Sequence, residues 1–108
     1  MKLIELVENL KTFEGANAFI EKKLPCVEFD CVDIYLVGSL GISSEVCLFN
    51  AEEISNTLTL AIGDTNYVNL FPLYIALEMV QEYIAAHNGK LSNEEIANRL
   101  LEYRLKDA

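Results

Sequence analysis

The stretch Phe71–Gly89, FPLYIALEMVQEYIAAHNG, restricts what this chain can become more than any other part of it. Pro72 suits the first turn of a helix, where its missing N–H costs nothing, and Gly89 suits the left-handed position just past a helix end. A helix over 72–88 spans about 25 Å, the width of a small domain. Its polar side chains, Glu78, Gln81 and Glu82, with Ala85 next in line, form one narrow stripe, while Leu73, Tyr74, Ile75, Leu77, Met79, Val80, Tyr83 and Ile84 fill the remaining circumference. A helix so apolar must be covered on most sides, so the other segments are expected to pack around it.

Before it, Leu3, Ile4, Leu6, Val7 and Leu10 make one helical stripe over about Lys2–Phe13, with Gly15 as the stop. A short second helix is expected over Ala18–Leu24 from an Asn17 cap, ended by Pro25, because a residue preceding proline is pushed out of helical geometry. From Cys26 the period changes to two. Val27, Phe29 and Cys31 alternate with Glu28 and Asp30, and after a phase slip at Cys31–Val32 the apolar set becomes Val32, Ile34 and Leu36. A bulge at the slip puts Glu28, Asp30 and Asp33 on one exposed face of a strand, which Tyr35 shares.

Glu45–Asn50 reads as a strand apolar on both faces and therefore centrally placed, and Ala51–Ser55 as a single turn exposing Glu52 and Glu53. Leu58, Leu60 and Ile62, alternating with Thr57, Thr59 and Ala61, and then Val68 and Leu70 flank Gly63-Asp64-Thr65-Asn66, which is the chemistry of a hairpin turn. Ser92-Asn93-Glu94-Glu95 is a capping box opening a last helix from Asn93 to about Lys106. The expected fold is a single α+β domain over 1–108. It has two N-terminal helices, a small, mainly antiparallel sheet of about four strands, and two C-terminal helices, with the 72–88 helix central.

The net charge of −9 becomes informative once it is located. Acidic and basic residues cancel over residues 1–23 and again over 90–108. The 66 residues Leu24–Gly89 hold no Lys or Arg but carry Glu28, Asp30, Asp33, Glu45, Glu52, Glu53, Asp64, Glu78 and Glu82. Such a segment repels nucleic acid and anionic membrane and attracts a basic surface. No membrane span is expected, since the longest charge-free run, Thr65–Leu77, is 13 residues and includes Asn66, Asn69 and Pro72. Glu5 and Glu8 interrupt what an export signal would need as its apolar region, so a cytoplasmic protein is expected. Three cysteines, Cys26, Cys31 and Cys47, are expected to be free, buried and inert.

Catalytic pairings are scarce. His87 is the only histidine and falls at the end of the central helix, where a capping role is expected. Gly38–Ser44, GSLGISS, lacks the lysine and following helix of a phosphate loop, and the carboxylates of EFDCVD lack the spacing and glycine of a calcium loop. No enzyme, cofactor or metal site is expected. The carboxylates are read instead as recognition groups, with Glu28, Asp30, Asp33, Glu45, Glu52, Glu53 and Asp64 forming an acidic surface and Tyr35 and Tyr67 as aromatic anchors.

The C-terminal part, YVNLFPLYIALEMVQEYI followed by LSNEEIANRLLEYRLKDA, resembles the ends of small bacterial immunity proteins encoded beside toxins of contact-dependent growth inhibition and related polymorphic toxin systems. The resemblance rests on an aromatic-proline helix start and a terminal helix ending in a Tyr-Arg segment. It implies a cytoplasmic, non-enzymatic protein that binds one cognate toxin domain, often a nuclease. Three other readings stay open from the residues: a DNA-mimic inhibitor of a DNA-binding protein, a small metal-dependent enzyme, which would need a carboxylate cluster that holds a cation, and a non-catalytic subunit of a larger complex assembled through an apolar patch.

Overall fold

The structure, a computed structural model, describes residues 1–54 and 58–107. Its elements are α1 (Leu3–Asn9), α2 (Phe13–Lys23), a single 3-10 turn (Phe29–Cys31), β1 (Val32–Val37), β2 (Val46–Asn50), β3 (Thr59–Ile62), β4 (Thr65–Pro72), α3 (Leu73–Ala86) and α4 (Asn93–Asp107). The strands form one antiparallel sheet in the order β2-β1-β4-β3. The class is α+β, with the expected order of two helices, a sheet and two helices.

Strand alternation sorts β1 into two sets. Val32, Ile34 and Leu36 join the hydrophobic core, together with Leu3, Leu6, Ile20, Leu73, Leu77, Val80, Ile96 and Leu100 from the helices. Asp33, Tyr35 and Val37 point the other way, beside Phe49 and Cys47 of β2 and Asn69 and Tyr67 of β4. The pairing of β1 with β4 shifts between Ile34 and Tyr35, so Leu70 is skipped in the ladder. Leu70 and Phe71, the adjacent residues at that irregularity, are both buried.

The helix boundaries near the N-terminus differ from expectation. α1 stops at Asn9, and Phe13, expected at its end, instead opens α2. Gly15 is no stop: its N–H donates to Thr12 Oγ1 at 3.0 Å, and a Cβ there would lie 2.8 Å from that oxygen. Thr12, not Asn17, is the cap, and the absence of a Cβ at Gly15 leaves room for its hydroxyl as it is placed here. Gln81 ties the α1–α2 corner to α3, its Nε2 donating to the carbonyls of Leu10 at 3.0 Å and Lys11 at 2.7 Å. These are carbonyls that the short α1 leaves without helical partners.

Residues 26–31 are not a strand. Their alternation is real, but Cys26 takes a positive φ of 69° and Phe29–Cys31 close a 3-10 turn, so the phase slip marks the start of β1 and not a bulge within it. Nor is β2 central. It lies at one edge of the sheet, its start shielded by the N-terminus: the Val46 N–H donates to the Met1 carbonyl at 2.8 Å, and Lys2 bridges to Glu45. The 59–72 hairpin turns at Gly63, whose φ is +60°, and Asp64. Thr57, expected in β3, and Ser55, expected in the preceding turn, lie outside the described residues.

α3 runs as expected after Pro72, its N-cap, and packs on β1, β4, α4 and the 3-10 turn. His87 is its C-cap residue, and Gly89 follows in left-handed geometry at φ +73°. The capping box of α4 closes as read: Ser92 Oγ accepts from the Glu95 N–H at 3.1 Å, and the Ser92 N–H donates to Glu95 Oε1 at 3.3 Å. No helix among the described residues is long and apolar enough to cross a membrane.

Candidate functional site

The loss of a strand over 26–31 redistributes the expected acidic surface. Glu28 and Asp30 are exposed around the 3-10 turn and face α3, where the solvent stripe Tyr74, Glu78, Gln81 and Glu82 continues the same surface. Together they line a groove of about 660 Å³ whose apolar part is Phe13, Phe29, Tyr74 and Leu77. The Phe13 and Phe29 rings pack with centroids 6.3 Å apart, yet Phe13 remains 65% exposed and Tyr74 40%. Glu28, Asp30, Glu78 and Glu82 form no ion pair with any described residue.

The other expected residues lie elsewhere. Asp33, Tyr35 and Tyr67 belong to the sheet face opposite the core, which carries no helix among the described residues. Asp33 is half-buried there, and desolvation pushes its carboxyl above the ordinary range. Tyr35 has no exposed surface. Its ring packs nearly perpendicular to that of Phe49, with centroids 5.4 Å apart, and Phe49 packs likewise on Tyr67 at 5.3 Å, so the three aromatics form a row of edge-to-face contacts. On the same face Leu58 and Ile62 are 71% and 48% exposed. Glu52 and Glu53 are exposed in the turn after β2, and Asp64 in the β3–β4 turn. The bulge predicted to unite Glu28, Asp30 and Asp33 is therefore replaced by a turn that separates them.

Glu45 has its own counter-charges. Its carboxylate accepts from the α-ammonium of Met1 at 2.7 Å and pairs with Lys2 Nζ at 2.8 Å. The hydrogen bond from Lys2 and then that from the α-ammonium hold its pKa down at about 2. A carboxyl with a depressed folded pKa adds stability above its unfolded value and loses it as pH falls through the folded value. The advantage of wild type over Glu45→Gln in thermal unfolding is thus expected to be full at pH 7 and to shrink from about pH 4.5 towards pH 2. A gap that stays constant over that range would show that the ion pairs add nothing.

The three cysteines are free, but none is buried as expected: Cys31 and Cys47 are half-buried, and Cys26, at a positive φ of 69°, is exposed. Desolvation, followed by the nearby Glu52, Glu28 and Asp30, pushes the Cys31 thiol up, and desolvation does the same at Cys47. Both are therefore poor nucleophiles. Among the described residues, no three His, Cys, Asp or Glu side chains are grouped to hold a metal ion.

Sequence reasoning found Glu28 and Asp30 but did not join them to Glu78 and Glu82, although the 78/81/82 stripe was visible. It missed Phe13, Phe29 and Tyr74 as site residues. The signal for Phe13 was Thr12-x-x-Gly15, a cap followed by the glycine that accommodates it, which reassigns Phe13 to the exposed first turn of α2. Compared with protein-family models, curated proteins and solved structures, the chain has no significant match in any of the three.

Proposed function

We propose that this chain is a cytoplasmic immunity-type inhibitor that binds a cognate toxin domain with a basic surface, a nuclease being the fitting class, and blocks its access to substrate. The observation that carries the reading is a charge distribution joined to a shape. A continuous 66-residue segment lacks Lys and Arg, and four of its carboxylates stand around an apolar groove without an ion-pair partner among the described residues. A nuclease must carry a positive cleft to hold its substrate, so it is steered to such a surface by the same field that attracts nucleic acid. The resemblance of the C-terminal helices to immunity proteins agrees with this reading.

The test is a pull-down with the tagged protein from an extract of its own organism at low salt, followed by a high-salt wash. One basic partner, encoded next door and released by salt, is the expected result. Recovery of the protein alone overturns the reading. Several unrelated DNA-binding proteins released by salt would instead indicate a DNA mimic. The exposed Leu58 and Ile62 on the helix-free sheet face favour the subunit reading, which predicts a partner retained through the high-salt wash.

A further inference from the structure

We propose that the groove between α2, the 3-10 turn and α3 is the seat of an amphipathic basic helix contributed by a protein partner. The inference rests on the binding reading above in taking the occupant to be a protein segment; the groove's own preference can be measured without that partner.

Three features point to this occupant. The groove, about 660 Å³, is of the size that binding pockets have and takes several side chains at once. Its apolar part includes Phe13, 65% exposed, and Tyr74, 40% exposed, two of the large apolar side chains that the core leaves uncovered. Tyr74, Glu78 and Glu82 succeed one another at intervals of four along α3, so they rise about 6 Å apart on one line. A helix laid alongside that line presents its own i, i+4 residues with the same spacing. Lys or Arg at those positions meets Glu78 and Glu82 on one side and Glu28 and Asp30 on the other, while apolar residues between them enter the groove as anchors. Gln81, committed to the Leu10 and Lys11 carbonyls, holds the floor in place and leaves the carboxylates as the groups that face the visitor.

The experiment uses fluorescein-labelled synthetic peptides of about four helical turns. One carries a Leu/Phe stripe flanked by Lys and Arg; its control carries the same stripe flanked by Glu. Binding is followed by fluorescence anisotropy at about 20 mM and about 300 mM NaCl, where screening differs severalfold in range. The proteins are wild type, Phe13→Ser, the pair Glu78→Gln with Glu82→Gln, and the pair Glu52→Gln with Glu53→Gln. All these positions are exposed, and circular dichroism confirms folding. The basic peptide is expected to bind wild type, more weakly at high salt, and the acidic one not to bind. Phe13→Ser and the 78/82 pair are each expected to weaken binding about tenfold, and the 52/53 pair by less than about twofold. Absence of binding to wild type overturns the proposal. Equal binding to Phe13→Ser, or equal losses in the two glutamate pairs, also overturns it, since attraction is then diffuse and the groove idle. Peptide seating with no partner captured in the pull-down keeps the groove and removes the inhibitor reading; a captured partner indifferent to Phe13→Ser does the reverse.

Discussion

Replacing Tyr35 by alanine is expected to destabilise the fold by about 3–5 kcal/mol, the range for removing a fully buried aromatic side chain. Tyr35 has no exposed surface, although it points away from the helices. Its loss empties the space beside β1 and leaves Phe49 without the perpendicular ring whose centroid lies 5.4 Å away, so the aromatic row to Tyr67 is broken as well. Stability of an ordinary domain is only about 5–15 kcal/mol, so a substantial share disappears with one side chain. Urea unfolding measures this directly. The same substitution at Tyr67, which is half-buried, is expected to cost less. A loss below about 1 kcal/mol for Tyr35→Ala would mean that the row does not hold the outer face together.

The second large effect concerns association. Reversing Glu28 and Asp30 to lysine is expected to lower the rate of association with the captured partner by about ten- to a hundredfold at low salt, and to flatten its dependence on ionic strength. These two exposed side chains stand beside Glu78 and Glu82, so reversal replaces a field of one sign with a mixed one at the mouth of the groove. Asp33→Asn is the internal control. It removes a charge of the same segment from the other face of the sheet, where desolvation already disfavours ionisation, and is expected to leave the rate unchanged within about twofold. Stopped-flow mixing over a salt series separates the outcomes. An unchanged rate for the double reversal would remove the 3-10 turn from the binding surface; an equal fall for Asp33→Asn would move that surface to the open sheet face.

What the residues disclosed and what they concealed follows a physical line. Short-range signals were legible wherever one segment's own chemistry decides its conformation. Gly63-Asp64 made a turn because glycine accepts a positive φ, Ser92 and Glu95 closed their reciprocal cap, and Pro72 with Gly89 bracketed α3. The errors fell where two local signals compete. Gly15 is a stop for one helix or the room for a cap of another, and the contact between Thr12 Oγ1 and the Gly15 N–H decides between them. Val-Glu-Phe-Asp-Cys alternates like a strand, but alternation records only which side chains seek burial and cannot tell a strand from an irregular segment whose apolar residues also turn inward. Phe29, half-buried against the core, satisfies the pattern from within a 3-10 turn.

The acidic character of the middle of the chain, the α+β class and the apolar α3 were determined by the sequence alone, because charge and hydrophobic periodicity belong to residues before any fold exists. Which carboxylates stand together was decided only by tertiary structure. Glu28 and Glu78 are 50 positions apart in the chain, and nothing local relates them until α3 packs against the 3-10 turn. The same packing sends Asp33, three residues from Asp30, to the opposite face of the sheet, since successive strand side chains alternate once β1 begins at Val32. Burial of Tyr35 is likewise a property of the sheet, created by the register that sets β1 beside both β2 and β4.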